Sequence, residues 1–351
     1  MKNWFKGGLI NSFKSPHLAI DLGTVNTLIY VNKKLVLDQP SVVAIQEKKE
    51  MGEVSVIAVG DDAKAMMGRT PGTITTIRPM SNGVIADFTI TKKMLKHFIK
   101  EVTRTGLFSQ SPCVLICTPY NATQVERRAI KESALEAGAK EVYLIEEPVA
   151  AALGAGLDVG SSSGHMVIDI GGGTTEIAIM SLNGVVYADS LRVGGDNFNQ
   201  NIVQYVRRKH EIVIGEVTAE LIKEEVGAAF KSSVIKKKTY VGREVSTGLP
   251  TKFVMTNGQV HEAIWESLTS IVDSILVALE QTPPELSSDI AENGVTLTGG
   301  GALLFDIDRL ITHETNLEVN IAEDPLTCVV RGGSIALDLI DKQNMSFLSV
   351  E

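Results

Sequence analysis

Apolar and polar positions divide the chain into short strands and longer amphipathic helices. Met166–Ile168 is an apolar run ended by the carboxylate of Asp169. After three glycines and two threonines, Ile177 and Ile179 resume a two-residue alternation, which predicts a hairpin. Lys33–Val59, with the apolar runs Leu35-Val36 and Val42–Ile45, reads as further strands, and Ala63–Met67 as a short helix. Residues 68–83 contain Gly68, Pro71, Gly72, Pro79 and Gly83 and read as largely loop. Thr89–Val102 places Met94, Leu95, Phe98 and Val102 on one helical face. Pro112–Pro119 is an apolar strand, followed by a helix over Thr123–Ala137 and a strand over Glu141–Ile145. Pro148 then opens an Ala-rich helix, since proline costs no hydrogen bond in the first turn.

In the second half, Asn183-Gly184 predicts a two-residue turn between Ile177–Met180 and Val185–Ala188. Gly194-Gly-Asp196 leads into a helix with Phe198, Ile202, Tyr205 and Val206 inward, and Thr218–Glu225 is helical. Lys231–Lys252, polar and basic, suits a solvated edge hairpin. Glu262–Leu279 is a long amphipathic helix ended by Pro283-Pro284. Gly294–Gly301 is a strand running into a glycine turn, with a helix predicted over Leu303–Thr312. A final helix after Pro325 carries Val329, Val330, Ile335 and Leu337.

The hairpin at Asp169 is chemically the most informative stretch. Its tip, Gly171-Gly-Gly-Thr174, offers bare N–H groups and small hydroxyls beside one fixed acid. Such a nest suits phosphate oxygens, and the acid suits Mg²⁺ and its waters; a purely structural glycine turn is the plain alternative. The pattern occurs twice. His17-Leu-Ala-Ile-Asp-Leu-Gly-Thr-Val-Asn-Thr27 aligns without a gap on His165-Met-Val-Ile-Asp-Ile-Gly-Gly-Gly-Thr-Thr175, with His17/His165, Ile20/Ile168, Asp21/Asp169, Gly23/Gly171 and Thr27/Thr175 identical. An internal repeat at this separation implies two similar domains, and paired hairpins could grip a nucleotide's phosphates from both sides.

Asp21–Thr27, Glu147-Pro-Val-Ala-Ala-Ala-Leu-Gly-Ala-Gly156, Asp169–Thr174 and Leu297-Thr-Gly-Gly-Gly301 stand in the order of the actin/Hsp70/sugar-kinase superfamily. Over nearly its whole length the chain resembles the MreB family of bacterial actins. Arg78-Pro-Met80, Gly83–Asp87, Ile145–Pro148, Ser246–Pro250 and Thr282–Leu286 carry the same resemblance. It implies an actin-like α/β fold, a duplicated ribonuclease H-like architecture with two large domains, each with a smaller subdomain, around a nucleotide cleft. Residues 17–38, 85–150 and 325–351 would form domain IA and 39–84 domain IB. Residues 151–188 and 253–324 would form IIA, and 189–252 IIB.

The resemblance also implies ATP/ADP and Mg²⁺ as cofactors. Asp21 and Asp169 would bind the metal, mostly through water. Gly23, Thr24, Val25, Asn26, Gly171, Gly172, Gly173 and Thr174 would hold phosphates. Gly195, Glu220, Lys223, Gly299, Gly300, Gly301 and Ala302 would surround the nucleoside; a surface ion pair is the plain reading of Glu220 and Lys223. Glu147 aligns with the water-orienting position, with Thr174 as hydroxyl partner, Asp169 beside them and Glu146 the neighbour to be told apart. The implied function is an ATPase that polymerises into paired protofilaments and supports cell shape. The alternatives are a small-molecule kinase, for which no sugar-binding signature is visible, and a chaperone, for which the chain has no peptide-binding domain.

Composition adds limits. At 351 residues the chain can hold two cores, and a net charge of −9 argues against nucleic acid as the main partner. Cys113, Cys117 and Cys328 read as buried inert thiols in a reducing cytosol. Residues 1–16 interleave Lys2, Lys6 and Lys14 with Trp4, Phe5, Leu9, Ile10 and Phe13, a pattern suited to an anionic bilayer surface; a tail docked on the core or disordered is the alternative. Leu107 and Phe108, in a polar turn, match a membrane-dipping loop of the resembled family or else pack on their own domain. The expected location is therefore cytoplasmic, peripheral on the inner face of the cell membrane. Membrane-anchored shape-determining proteins are further expected partners.

Overall fold

The computed structural model describes residues 15–47, 54–103, 111–231 and 234–340. Trp4, Phe5, Leu9, Leu107 and Phe108, on which the membrane expectation rests, lie outside the described residues.

The first half folds as β1 (His17–Leu22), β2 (Asn26–Val31), β3 (Lys34–Pro40), β4 (Val43–Glu47), β5 (Val54–Val59), α1 (Asp61–Met66) and β6 (Ile74–Ile77). The pair β7 (Met80–Ser81) and β8 (Val84–Ile85) follows, then α2 (Phe88–Thr103), β9 (Cys113–Thr118), α3 (Gln124–Ala137), β10 (Glu141–Glu146) and α4 (Glu147–Gly154). The second half continues with β11 (His165–Ile170), β12 (Thr175–Ser181), β13 (Gly184–Leu191), α5 (Gly195–His210), β14 (Ile212–Val213), α6 (Glu216–Val226), β15 (Lys237–Glu244) and β16 (Pro250–Thr256). It ends with α7 (Asn257–Glu280), α8 (Pro284–Asn293), β17 (Val295–Thr298), α9 (Ile307–Thr315), β18 (Val319–Ile321) and α10 (Cys328–Ile340).

Two five-stranded sheets share one topology, β10-β9-β1-β2-β3 and β18-β17-β11-β12-β13. In each, an antiparallel meander is extended on its first strand by two parallel strands. The repeated sequence is therefore a repeated fold, and Asp21 and Asp169 occupy equivalent places near the ends of β1 and β11. A small sheet, β5-β4-β6, carries α1 after the first meander, and β14-β15-β16 forms a second small sheet after α5.

Several elements depart from the expectations. The turn between β12 and β13 centres on Leu182-Asn183, both left-handed at φ 53° and 60°. It sits one residue early because Gly184 already pairs with Ser181. Residues 68–83 are not all loop: Ile74–Ile77 adds to β4 as an edge strand, and Met80–Ser81 pairs with β8. The hairpin read from Lys231–Lys252 is only half an edge, since β15 is the middle strand. The helix expected from Leu303 begins at Ile307; Gly300–Leu303 is a 3-10 turn.

Between the two large sheets lies a third core, formed by Ala19, Leu28 and Leu115 of the first sheet, Val167, Ala178 and Met180 of the second, and α4 and α10. These helices touch backbone to backbone. A Cβ built on Gly154 would lie 1.8 Å from the Cys328 carbonyl oxygen, and one on Gly332 would lie 1.8 Å from that of Ala150. The Arg331 Nε–H donates to the Gly154 carbonyl at 2.7 Å and closes the end of α4. The small side chains of Ala150–Ala152 thus serve this crossing at the junction of the two halves. All three cysteines are buried and free.

Candidate functional site

A cavity of about 570 Å³ opens between the halves, within the range of small-ligand sites. Asp21, Gly23, Thr24, Val25 and Asn26 line one wall, and Asp169 with Gly171–Thr174 lines the facing one. The hairpins touch. A Cβ on Gly172 would lie 2.2 Å from Val25 Cγ2, and one on Gly173 would lie 2.5 Å from Thr24 Oγ1. Only residues without side chains allow that approach, and the bulk of Val25 is accommodated for the same reason.

Each hairpin is braced from outside. Ser41 donates from its hydroxyl to the Gly23 carbonyl at 2.7 Å and from its N–H to that of Val25 at 2.8 Å. The first N–H groups of α5, on Gly195 and Asp196, donate to the carbonyls of Gly171 and Gly172 at 3.0 and 2.8 Å. Asn82-Gly83, at the tip of β7–β8, sits over both: the Gly83 N–H donates to Thr24 Oγ1 at 3.0 Å, and a Cβ there would lie 2.9 Å from Thr174 Cγ2.

Burial, then the charges of Asp169 and Asp38, push the Asp21 carboxyl up to about 7. Burial raises Asp169 to about 6 against the opposing hydroxyl of Thr298, which donates to it at 2.7 Å. Among the described residues no lysine or arginine bridges either carboxylate. No cluster of three or more His, Cys, Asp or Glu is arranged there to hold a metal alone. Two uncompensated acids facing one cavity fit a hard divalent cation that takes its remaining ligands from phosphates and water.

These carboxyls hold a proton more tightly in the ligand-free fold than in the unfolded chain, whose value is near 3.8. Their stabilisation is therefore complete below that value and is lost as pH rises through 6 to 7. The melting midpoint of metal- and ligand-free protein is expected to fall between about pH 4 and 7, with a smaller fall after Asp21→Asn or Asp169→Asn. A midpoint that rises over that range would contradict the assignment.

Glu147, first residue of α4, lines the cavity, whereas Glu146 turns aside to pair with Arg127 at 3.0 Å. Burial raises the Glu147 carboxyl well above the ordinary range, assisted first by the charge of Glu176 and then by Asp21 and Asp169. Thr174 lines the same end. Gly195, Glu220, Lys223, Gly299, Gly300 and Gly301 line the same cavity with the exposed side chains of Leu303, Phe305 and Leu326, and Gly299 packs directly against Asp169, where a Cβ would lie 2.9 Å from its Oδ1. Glu220 is engaged across the mouth by Lys64 at 3.2 Å, and nearby Arg78 reaches Glu216 at 2.8 Å. Lys223 donates to the Gly195 carbonyl at 3.3 Å, and burial lowers its pKa. Ala302 does not line the cavity: it is 2% exposed and, within the 3-10 turn, packs into the hydrophobic core of the second half with Ile168, Leu297 and Ile307.

Sequence reasoning missed Glu176, Arg78, Lys64, Asn82-Gly83 and Phe305. Glu176 had a readable signal, an acid immediately before the apolar run Ile177–Met180, and it is wholly buried in the fold. Lys64 and Arg78 had none, because only the fold carries α1 and the segment after β6 to α6. The ammonium of Lys236 lies 3.7 Å from the Phe305 ring centroid, a contact between residues far apart in sequence.

A family described as MreB/Mbl protein matches residues 15–345. The cell shape-determining protein MreB of Escherichia coli (strain K12) is 56% identical over 338 residues, covering 96% of this chain and 97% of that protein. Crystal structures of MreB5 of Spiroplasma citri, one bound to ADP and one to AMPPNP, superpose with a TM-score of 0.88 at 36% identity and cover 94% of this chain and 98% of theirs. A MamK double helical filament subunit, at 20% identity and covering 93% of this chain and 99% of its own, shares the fold with a TM-score of 0.78.

Proposed function

The chain belongs to the MreB/Mbl family and has its actin-like fold, and from that premise we propose that it binds ATP in the cleft, hydrolyses it and assembles into filaments that support cell shape. The observation that carries this reading is the convergence of Asp21 and Asp169 on one cavity between touching glycine hairpins. It is supported by the ADP and AMPPNP complexes of the Spiroplasma citri relative.

The N–H groups and hydroxyls of residues 23–27 and 171–174 would hold the phosphates, with Gly299–Gly301 and Lys223 at the nucleoside end. Mg²⁺ held by Asp21 and Asp169, directly or through water, would neutralise phosphate charge. Phosphoryl transfer otherwise needs positioned oxygens and an oriented nucleophile. Glu147 would accept a hydrogen bond and then the proton from a water aligned with the β–γ bridge, while the Thr174 hydroxyl orients that water. Water oxygen bonds to the γ-phosphorus, the bond to the bridging oxygen breaks, and ADP and phosphate leave. A raised carboxyl is the stronger base once ionised, and a cation beside Asp21 and Asp169 would favour that ionisation.

Gly173→Ala places a methyl against Thr24 Oγ1 and 3.0 Å from Asn82 Cα. It is expected to weaken binding of an ATP analogue by about tenfold or more, read by titration calorimetry. Unchanged affinity would remove the phosphate role from the second hairpin.

Among the described residues no helix is long and apolar enough to cross a membrane. Peripheral attachment to the inner face of an anionic membrane, in the cytoplasm, rests on the basic and aromatic N-terminal sequence. Membrane-anchored shape proteins are the further partners proposed. Sedimentation of the full chain with MgATP, with and without anionic liposomes, tests assembly and attachment together; phosphate release without any pelletable polymer would sink the filament reading.

A further inference from the structure

Glu147 is the first residue of α4, and the residue before it, Glu146, stands at the N-cap position without capping the helix. Glu146 has extended backbone at φ −72° and ψ 133°, yet its side chain makes no hydrogen bond to the helix it precedes. Ser, Thr, Asp and Asn are the side chains that cap from that position, and the longer Glu146 carboxylate is directed elsewhere. It accepts a hydrogen bond from Arg127 on α3.

Arg127 is committed at several atoms. Its Nη2 donates to Glu146 Oε1 at 3.0 Å and to the Tyr120 carbonyl at 3.3 Å, and its Nε to the Ala122 carbonyl at 3.2 Å. The side chain is 18% exposed and that of Glu146 is 23% exposed, so this is no loose surface pair. Its base is rigid: Thr123 and Glu126 form a complete capping box on the first turn of α3.

The loop that Arg127 fixes, from Pro119 to Ala122, reaches the other half of the molecule. The Tyr120 N–H donates to Glu176 Oε2 at 3.2 Å, and Asn121 Nδ2 donates to Asp189 Oδ1 at 3.3 Å. Glu176 is wholly buried on β12, directly opposite Asp169, and Ser190 Oγ donates to its other oxygen at 2.5 Å. Of the charged groups around Glu147, Glu176 acts on it most strongly. The chain Glu146–Arg127–Tyr120–Glu176 thus partly encircles Glu147, holding the peptide before it on one side and the acid that acts on it on the other.

We infer that Arg127 is a positioning residue for hydrolysis: it aims Glu147 at the attacking water by holding Glu146 and by fixing the loop that bonds Glu176 across the cleft. Arg127 does not line the cavity, so substrate binding is untouched by it. This inference rests on the reading of Glu147 given above. The guanidinium reaches these acceptors from two separated nitrogens, Nε and Nη2, whereas a lysine ammonium donates from one point and keeps only part of the set.

The test is steady-state ATP hydrolysis by the full chain and by Arg127→Gln, Arg127→Lys, Glu146→Gln and Glu147→Ala, with folding checked by thermal melting. Misaiming a reactive group costs rate, not affinity. Arg127→Gln is expected to lower kcat by about 10- to 100-fold while KM for ATP stays within about twofold. Glu146→Gln should reproduce most of that loss, and Arg127→Lys should fall between. The Arg127→Gln/Glu146→Gln double variant should be no slower than Arg127→Gln, since both act through one path. Should Arg127→Gln fail to fold, Glu146→Gln and Arg127→Lys carry the same prediction. Normal kcat in folded Arg127→Gln or Glu146→Gln, with Glu147→Ala inactive, overturns the role of Arg127 and leaves that of Glu147 standing. Normal kcat in Glu147→Ala overturns the reading beneath it as well.

Discussion

Glu147→Ala is expected to bind MgATP with nearly wild-type affinity and to hydrolyse it about 100- to 10,000-fold more slowly. Three observations set the size and direction of this effect. Glu147 lines the cavity at the hairpin end, so its carboxylate can reach a water there. Burial and three neighbouring acids raise its proton affinity, which is what a proton acceptor needs and a binding residue does not. Glu146, the only other acid at the start of α4, is occupied by Arg127 and does not line the cavity. The loss should therefore fall on kcat, with KM changed little. Phosphate release measured beside nucleotide binding separates the two; an unchanged rate would move the water-orienting role elsewhere.

The largest effect on stability is expected from Gly332→Ala. In an isolated helix that substitution stabilises by roughly 0.5 to 1 kcal/mol, because alanine loses less backbone entropy. Here the added methyl would stand 1.8 Å from the Ala150 carbonyl oxygen and 2.9 Å from the Gly154 nitrogen. Both are backbone atoms, so no flexible side chain can swing away and α4 and α10 must separate. Overpacking of this kind costs about 3 kcal/mol or more, reversing the propensity effect. The melting midpoint should drop by about 4 °C or more, measured by circular dichroism or calorimetry. A rise would mean that the helices are not in backbone contact. Since their crossing also joins the two sheets, the same strain is expected to weaken nucleotide binding.

The parts of this molecule legible in its sequence were those written locally. The apolar run Met166–Ile168 ending in Asp169, and its copy at Asp21, announced two strands with acids near their ends, and the sheets place them equivalently. Pro148 marked the start of α4, and Glu147 was preferred to Glu146 because it directly precedes that proline and aligns with the water-orienting position of the resembled family. What escaped was set by contacts between distant segments. Lys64 meets Glu220, and Arg78 meets Glu216, only because the small sheet after β3 leans toward α6. The glycines of α4 and α10 gave no hint that each was the other's reason, although the lack of bulk was visible. Ala302 followed Gly299–Gly301 in sequence, yet it is buried in the 3-10 turn that those glycines open and does not line the cavity. Leu182 was passed over as a turn residue because a leucine at positive φ runs against propensity, and the register of β12 on β13 imposes it.

The account stands on one arrangement, a nucleotide's phosphates held between twin hairpins with a cation shared by their acids. A crystal structure of the full chain with Mg²⁺ and a non-hydrolysable ATP analogue tests it most directly. The expected density places the β- and γ-phosphates between residues 23–27 and 171–174, the metal at Asp21 and Asp169 directly or through one water, and a water between Glu147 and the γ-phosphorus. An analogue bound outside this cleft, or a metal that neither carboxylate approaches, would contradict it.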